Sequence, residues 1–153
     1  PVPSELFDGA RLPSFEVPRE SWPDNEKYKK YPFQIISQRN RTMVHSQYND
    51  VPWLRELNPE PTVYLNPSDA KSRNIKTNDY VKVFNDRGYA VLQAVLSEGI
   101  RPGTLVYPKG WWGSAYKEGN MHSLTPRQYS PITINHSYTD SLAEVEKWKG
   151  AQS

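Results

Sequence analysis

Short apolar runs separated by turn-forming residues occur along most of the chain. Two runs flank Asn85-Asp86-Arg87-Gly88, and this is the clearest hairpin signal because Asn, Asp and Gly adopt positive φ at low cost. Residues 142–148 alternate apolar and charged side chains, which predicts a half-exposed strand. In all, the pattern predicts strands at residues 31–37, 62–65, 79–85, 89–97, 105–107 and 142–148.

A single helical turn is predicted at residues 51–57. It would end before Asn58-Pro59, because the residue that precedes a proline avoids helical geometry. Its apolar side chains are expected to point inward; they are Trp53, Leu54 and Leu57.

A second short helix is predicted at residues 67–73. Asn66 is placed as its cap, Pro67 occupies the first helical position, and the charge of Asp69 complements the free amides of the first turn. The 14 prolines among 153 residues exclude long helices through much of the chain. Short strands with one or two short helices therefore predict a mainly-β chain that folds as a compact barrel.

The chain divides into three parts by composition. Residues 1–30 contain five prolines and no regular apolar face, which indicates an extended linker from a preceding domain, lying on a neighbouring surface or mobile. Plain disorder fits the same composition. Residues 31–148 are predicted to form the barrel, and residues 149–153 a tail.

Charge and composition exclude several functions. The net charge of +2, from 19 basic and 17 acidic residues, gives no basic field for nucleic-acid binding. The absence of Cys excludes a disulfide, a thiolate nucleophile and an iron–sulfur ligand in this stretch. No apolar run is long enough to span a membrane. The start at Pro1, with the only methionines at Met43 and Met121, indicates a processed chain or a fragment of a longer protein.

The inventory of catalytic motifs is poor. His45, His122 and His136 lie far apart, and none has the helical His spacing of a metalloprotease. No nucleophile elbow, glycine-rich phosphate loop or dinucleotide fingerprint occurs. What remains are polar loops at residues 37–47, 85–88, 109–125 and 132–139.

These loops carry groups that could recognise the edges of a heterocycle and hold a pyrophosphate. From spacing alone, ordinary solvated surface is the favoured explanation. The tryptophans Trp53, Trp111 and Trp112 could stack on a sugar or base, cover the core, or dock against another domain.

A series of motifs runs in order along residues 31–148. They are residues 31–37 (Tyr-Pro-Phe-Gln-Ile-Ile-Ser), Arg41 with His45-Ser46-Gln47, residues 66–70, 73–75, 78–83, 85–88, 99–103 and 110–112, Gly119-Asn120, Leu124-Thr125-Pro126 and Val145-Glu146-Lys147. Together they resemble the C-terminal molybdopterin-dinucleotide-binding domain of the dimethyl sulfoxide reductase family of molybdenum and tungsten enzymes. Residues 45–54 look most like catalytic subunits of the dimethyl sulfoxide reductase type.

The resemblance implies a six-stranded double-psi β-barrel that closes over a bis(molybdopterin guanine dinucleotide) cofactor. The metal, molybdenum or possibly tungsten, would lie mainly among other domains, and any iron–sulfur cluster would belong to other domains or subunits. The implied partners are the remaining domains of the catalytic chain, an electron-transfer protein with iron–sulfur clusters, and a membrane anchor. Relatives are often exported and attached to the membrane through such partners, while this stretch itself would not insert.

The resemblance also implies which residues bind the cofactor, with no catalytic residue and no metal ligand in this stretch. The matching positions are Ser37, Gln38, Arg41, His45, Ser46, Gln47, Asn120, His122, Leu124, Thr125 and Asn135. Two of the late positions depart from the family pattern, with His122 where Asn is usual and Arg127 where Asp is common. Asn78 replaces the family's Gly, and Asn tolerates the left-handed geometry of such a turn. The stretch Asn85–Gly88 is interpreted first as a tight turn, and Arg87 is a weaker candidate for interdomain pairing.

The expected function is therefore that of a cofactor-binding part of a larger molybdenum oxidoreductase. That enzyme would transfer oxygen atoms, for example in reducing an S- or N-oxide, and the chain alone would be inactive. Two alternatives stay open. One is a cofactor-free barrel that binds a partner or carbohydrate through its Trp faces, and the other is a hydratase or transhydroxylase of the same family.

Overall fold

The computed structural model describes residues 15–130 and 134–150. Within these ranges the strands are β1 (Phe33–Gln38), β2 (Thr62–Leu65), β3 (Tyr80–Phe84), β4 (Tyr89–Leu96), β5 (Thr104–Pro108), β6 (Glu118–Gly119) and β7 (Leu142–Lys147). The helices are α1 (Pro52–Leu57) and α2 (Pro67–Ser72), and 3₁₀ turns occur at Glu26–Lys29, Gly113–Ala115 and Met121–Leu124. Residues 1–14 of the predicted linker, 132–133 of the last polar loop and 151–153 of the tail lie outside the described ranges.

Six of these strands form a closed barrel. They pair in the order β2-β5-β1-β7-β3-β4, and β4 pairs with β2 to close the ring, while the short β6 adds to β4 outside it. The β1–β5 and β2–β4 pairs are parallel and the others antiparallel. Closure leaves no free edge in the ring. The predicted mainly-β, six-stranded double-psi barrel with two short helices is confirmed, and β6 is an addition to it.

The barrel interior is filled by alternate side chains of its own strands. In β3 the buried residues are Val81 and Val83, and in β2 they are Val63 and Leu65, with partly exposed residues between them. This two-residue period is what a strand with one buried face produces. The largest fully buried side chains of the described core include Phe33, Leu65, Leu92, Leu105, Met121 and Leu124.

Strand positions agree with the predictions to within one or two residues. β1 starts at Phe33 rather than at residue 31, because Pro32 has no N–H to give to a ladder. Tyr31 is nevertheless buried, and its ring packs edge-on against Phe84 with centroids 6.5 Å apart. Asn78 has a φ of 70°, so the left-handed turn predicted for it is confirmed. The half-exposed strand predicted at residues 142–148 is β7, which is buried at its start and exposed at its end.

The hairpin between β3 and β4 is confirmed, but the positive φ angles that were the reason for predicting it do not occur. No residue of 85–88 has a positive φ. The turn is closed by the Asn85 N–H to the Gly88 carbonyl (3.0 Å) and by the Asn85 side chain, which accepts the Arg87 N–H (2.9 Å). Glycine is required at position 88 by space, since a Cβ there would lie 2.6 Å from the Ser123 hydroxyl.

Helix α1 exists, but the prediction that its apolar residues face inward is wrong. Trp53 is 64% exposed and Leu57 is 72% exposed, and the helix buries no residue. The strands and neighbouring loops already fill the core. The helix instead turns Arg55 toward the barrel, where the guanidinium lies 5.1 Å from the ring centre of the buried Trp111.

Helix α2 forms as predicted and ends one residue early, at Ser72. The Asn66 side chain accepts the Ser68 N–H at 2.9 Å, which is the expected cap. Asp69 lies in the first turn, but its carboxylate accepts the N–H of Gly103 (2.9 Å). It therefore ties the helix to the loop before β5.

The segment before the barrel lies against the barrel's loops through two carboxylates. Asp140 accepts the backbone N–H groups of Arg19, Glu20 and Ser21 at 2.7–2.9 Å. Glu20 in turn is buried and accepts the N–H of Leu142 at 2.8 Å. Burial raises the pKa of Asp140, but the hydrogen bonds from Ser21, Glu20 and Arg19 outweigh it and hold that pKa below its ordinary value.

Among the described residues, no helix is long and apolar enough to cross a membrane.

Because the folded pKa of Asp140 is lowered, its stabilisation is present above the ordinary value of 3.8 and is lost as the pH falls through the folded value. We predict that Asp140→Ala lowers the free energy of unfolding at pH 7 by about 1–3 kcal/mol, and that the difference shrinks below that ordinary pKa. Urea denaturation at pH 7 and at low pH measures both values. Asp24→Ala removes an exposed carboxylate that pairs with no described residue and is the control; an equal effect of both variants would contradict the prediction.

Candidate functional site

A cleft of about 360 Å³ lies at the rim of the barrel where β1 and β5 end, and we call it the rim cleft. Ser37 and Tyr107 are paired across these two parallel strands, and the amide of Lys109 continues the ladder to the carbonyl of Gln38 at 2.9 Å. The loops that follow both strands therefore meet at this rim. Four of the predicted residues line the rim cleft together: Ser37, His45, Ser46 and His122.

The His-Ser-Gln turn is held against the second loop by backbone contacts. His45 adopts a positive φ of 52°, and the Gln47 N–H closes the turn on the Val44 carbonyl at 3.0 Å. Gly110 has a φ of 106°, and a Cβ there would collide with the His45 carbonyl. The Trp112 indole N–H also donates to the Ser46 carbonyl at 3.0 Å. The close approach of the two loops thus depends on a glycine.

Three further side chains line the rim cleft: Tyr107, Lys109 and Tyr138. Lys109 and Tyr138 belong to the predicted polar loops but were not assigned individually, and Tyr107 was missed. Tyr107 is only 3% exposed, and its hydroxyl makes no hydrogen bond to any described residue. Burial, aided by the nearby Tyr138, raises the pKa of Tyr107, so this hydroxyl stays protonated and able to donate. No local pattern marks Tyr107, because only the pairing of β5 with the distant β1 brings it to the cleft.

The rim cleft suits an anionic, heteroatom-rich ligand. Its walls carry imidazoles, an ammonium and hydroxyls, and no described Asp or Glu lines it. These groups donate hydrogen bonds readily, and charge-assisted bonds to phosphate are among the stronger ones that proteins make.

A second cleft, of about 710 Å³, lies on the outer side of β1 and is called the outer cleft. It holds the predicted residues Gln38 and Arg41. Gln38 is separated from Ser37 because successive side chains of a strand point to opposite faces, and Arg41 lies in the loop that follows β1. Arg39 and Arg41 form no ion pair with described residues. Asn40 is buried, and its Nδ2 has no partner among them. This cleft also offers unpaired donors.

A third cleft, called the late-loop cleft, contains the predicted Thr125 together with Arg127 and His136. Arg87 and the carboxylates of Glu20 and Asp86 also line it. His122 lines both this cleft and the rim cleft, so the two are neighbours. The late loop, residues 120–128, and the His-Ser-Gln turn therefore lie on one side of the barrel. His122 and Arg127, the two positions that depart from the pattern implied by the resemblance, add donor groups here.

The other predicted residues do not line these three clefts. Gln47 is part of the turn, and the Asn120 side chain caps the 3₁₀ turn by accepting the His122 N–H at 2.9 Å. The side chain of Leu124 is fully buried. Asn135 is exposed, and its carbonyl accepts the Ser130 N–H. Within the described ranges, no cluster of three or more His, Cys, Asp or Glu side chains could hold a metal ion.

Comparison with known proteins decides the family. The sequence profile of the "Molydopterin dinucleotide binding domain" matches residues 33–142, which is most of the chain. The chain belongs to this family. The molydopterin dinucleotide binding domain spans the whole barrel up to the start of β7.

Relatives of this molydopterin dinucleotide binding domain are much longer proteins. The chain is 32% identical to a putative dimethyl sulfoxide reductase catalytic subunit from Halobacterium salinarum, over 92% of this chain and 18% of the relative. It is 33% identical to the dimethyl sulfoxide reductase DmsA of Haemophilus influenzae, over 78% and 15%. The chain thus spans less than a fifth of these relatives and corresponds to one domain of such catalytic subunits. The predicted resemblance is confirmed.

A solved structure shows the same fold. Acetylene hydratase from Pelobacter acetylenicus superposes with a TM-score of 0.80 at 20% identity, over 93% of this chain and 22% of that protein.

We predict that Gly110→Ala separates the two loops of the rim cleft. The left-handed φ and the collision with the His45 carbonyl should cost about 1–3 kcal/mol. Hydrogen exchange of the intact protein should then accelerate at residues 43–47 and 109–112. Gly99→Ala is the matched control, because a Cβ there meets only the Ser97 hydroxyl at 3.5 Å. Unchanged exchange in both loops would show that their contact does not need the glycine.

Proposed function

We propose that this molydopterin dinucleotide binding domain forms one wall of the site for a bis(molybdopterin guanine dinucleotide) carrying molybdenum, with tungsten an alternative. The enzyme that contains it would transfer oxygen atoms, as in the reduction of an S- or N-oxide. The observation that carries the proposal is the rim cleft, where His45, Lys109 and His122 meet without an opposing carboxylate.

The residues present fit such a group. A dinucleotide carries a pyrophosphate, which needs several cationic or N–H donors, and the rim cleft supplies them from two loops. The edges of a pterin require both donors and acceptors, which the hydroxyls of Ser37, Ser46 and Tyr107 provide. The unpaired Arg39 and Arg41 extend this donor surface into the outer cleft.

In this proposal the chain binds and orients the cofactor, and its own side chains do not take part in the redox step. When bound, the metal of the cofactor supplies the oxygen-atom transfer chemistry. The side chains of the rim cleft would fix one face of the cofactor, and the buried Tyr107 would donate a hydrogen bond where water has little access.

The length of the relatives supports further domains in the same chain, and the family resemblance implies the other partners. The remaining domains of a catalytic subunit would complete the cofactor site. An iron–sulfur protein would deliver electrons, and a membrane anchor would hold the assembly.

The first test removes one predicted arginine contact and one predicted histidine contact in the intact enzyme. Arg41→Ala and His45→Ala should each lower molybdenum retention after gel filtration about tenfold or more, because one charge-assisted hydrogen bond contributes roughly 1.5–3 kcal/mol. Arg101→Ala, an exposed arginine that lines none of the three clefts, is the matched control. Wild-type retention in both site variants would refute their assignment.

The second test removes one hydroxyl. Tyr107→Phe should release the cofactor faster, by about fivefold to tenfold for one lost neutral hydrogen bond, with little change in thermal stability. Tyr116→Phe is the control, because that buried tyrosine also has its pKa raised by burial but does not line the rim cleft. The release rate is followed by cofactor fluorescence after denaturing the retained fraction. An equal effect of both variants would mean that Tyr107 has no special role.

A second candidate function uses the exposed tryptophans. Trp53 is 64% exposed and Trp112 is 47% exposed, which fits a face that docks a partner or carbohydrate without any cofactor. An NMR titration of the chain with a guanine nucleotide and with oligosaccharides separates these functions. Shifts at residues 37–47 with the nucleotide favour cofactor binding, and shifts confined to the two tryptophans with the sugars favour the docking module.

Turnover of the intact enzyme separates the reaction classes. Oxidation of a reduced dye on addition of dimethyl sulfoxide or trimethylamine N-oxide would support oxygen-atom transfer. Hydration or hydroxyl transfer without dye oxidation would instead support the hydratase or transhydroxylase alternative.

A further inference from the structure

We propose that Arg87 and Glu20 act together as positioning residues for the late loop, residues 120–128, and so control how firmly the cofactor is held. This inference rests on the proposed function, since it takes the rim and late-loop clefts as the binding surface. It assigns a task to a buried ion pair that the family resemblance did not explain.

The carbonyl of Leu124 is the point at which the late loop is fixed. It accepts hydrogen bonds from the Asn85 amide (2.9 Å), the Ser141 hydroxyl (2.8 Å), and Nε and Nη2 of Arg87 (2.9 and 2.7 Å). A carbonyl oxygen has two lone pairs, so these four donor contacts more than fill its accepting capacity. Thr125 follows directly in the chain, and His122 precedes Leu124 by two residues. Both line the clefts, so moving this carbonyl moves both side chains.

Glu20 determines where the Arg87 guanidinium lies. Its two oxygens receive Nη1 and Nη2 of Arg87 at 2.8 and 2.9 Å, which is the bidentate arrangement of a strong ion pair. Glu20 also accepts the Leu142 N–H, and its side chain is only 9% exposed. Burial raises the pKa of Glu20, but the bonds from Arg87, Leu142 and Lys27 leave that pKa below its ordinary value, so the carboxylate is ionised.

The consequence is that the loop geometry depends on the segment before the barrel. Glu20 belongs to the segment that Asp140 also holds, while Arg87 belongs to the hairpin between β3 and β4. The guanidinium therefore bridges three separate parts of the chain. Arg87 pairs within this chain, rather than with another domain as the sequence suggested.

The barrel contains an internal comparison for this pair. Arg73 and Glu144 form a similar bidentate contact at 2.8 and 3.1 Å, with side chains 24% and 25% exposed. The Arg73 guanidinium lies 4.5 Å from the ring centre of Phe33 and donates to the Asp69 carbonyl and the Ser72 hydroxyl. The Arg73 guanidinium touches no residue that lines the three clefts. A substitution of Arg73 therefore measures how much weakening any bidentate ion pair affects cofactor retention and hydrogen exchange.

The experiment compares Arg87→Lys with Arg73→Lys in the intact molybdenum enzyme. Lysine keeps the charge but cannot bond Glu20 bidentately and Leu124 at the same time. We expect Arg87→Lys to release molybdenum and guanine nucleotide about tenfold faster than wild type, and to accelerate hydrogen exchange at residues 120–128. Arg73→Lys should leave both quantities near their wild-type values. Glu20→Gln, which keeps the shape but removes the charge, should act like Arg87→Lys and serves if that variant does not fold.

Three results would overturn the inference. Equal loss of cofactor from Arg87→Lys and Arg73→Lys would show a merely structural role. Faster exchange at residues 120–128 with wild-type retention would show that the loop does not hold the cofactor. Unchanged exchange would show that Arg87 does not position the loop.

The variants also separate this inference from the proposed function. If His45→Ala and Arg41→Ala lose the cofactor while Arg87→Lys keeps it, only this inference fails. If all three variants keep the cofactor, the proposed function fails.

Discussion

The parallel pairing of β1 with β5 is the constraint on which the rest of the structure depends. Because both strands run in the same direction, both leave the barrel at one rim, and the loops that follow them meet there. Gly110 permits that meeting, since any side chain would collide with the backbone of His45. Closure of the ring by the β2–β4 pair then holds this rim in a fixed relation to the hairpin and to the late loop.

The distribution of charge follows from the same arrangement. The carboxylates nearest to the late loop are already paired: Glu20 with Arg87, Asp86 with Lys27 and Arg87, and Asp140 with three backbone amides. The rim cleft is left with donors and no described carboxylate, and the outer cleft has two arginines without ion-pair partners in the described chain. Because the nearby carboxylates are already paired and the hydrogen-bond donors of the rim and outer clefts are free, this surface suits a large anion.

The sequence predicted what local chemistry determines. The Asn66 cap, the left-handed Asn78 and the strand positions each depend on residues close in the chain, and all were confirmed. The inward orientation of Trp53 and Leu57 was wrong because a helix needs space in the core, and strands had filled it. Tyr107 was missed, and the pairing of Arg87 with Glu20 was not predicted, because Ser37 and Glu20 reach them only in the folded barrel.

The central claim is that the rim cleft holds part of a pterin dinucleotide. A crystal structure of the intact, molybdenum-loaded enzyme tests it most directly. The account predicts cofactor atoms within hydrogen-bonding distance of the Tyr107 hydroxyl and of at least one of His45, Lys109 and His122. A cofactor seated wholly among other domains, with the rim cleft filled by solvent or by another protein segment, would contradict it.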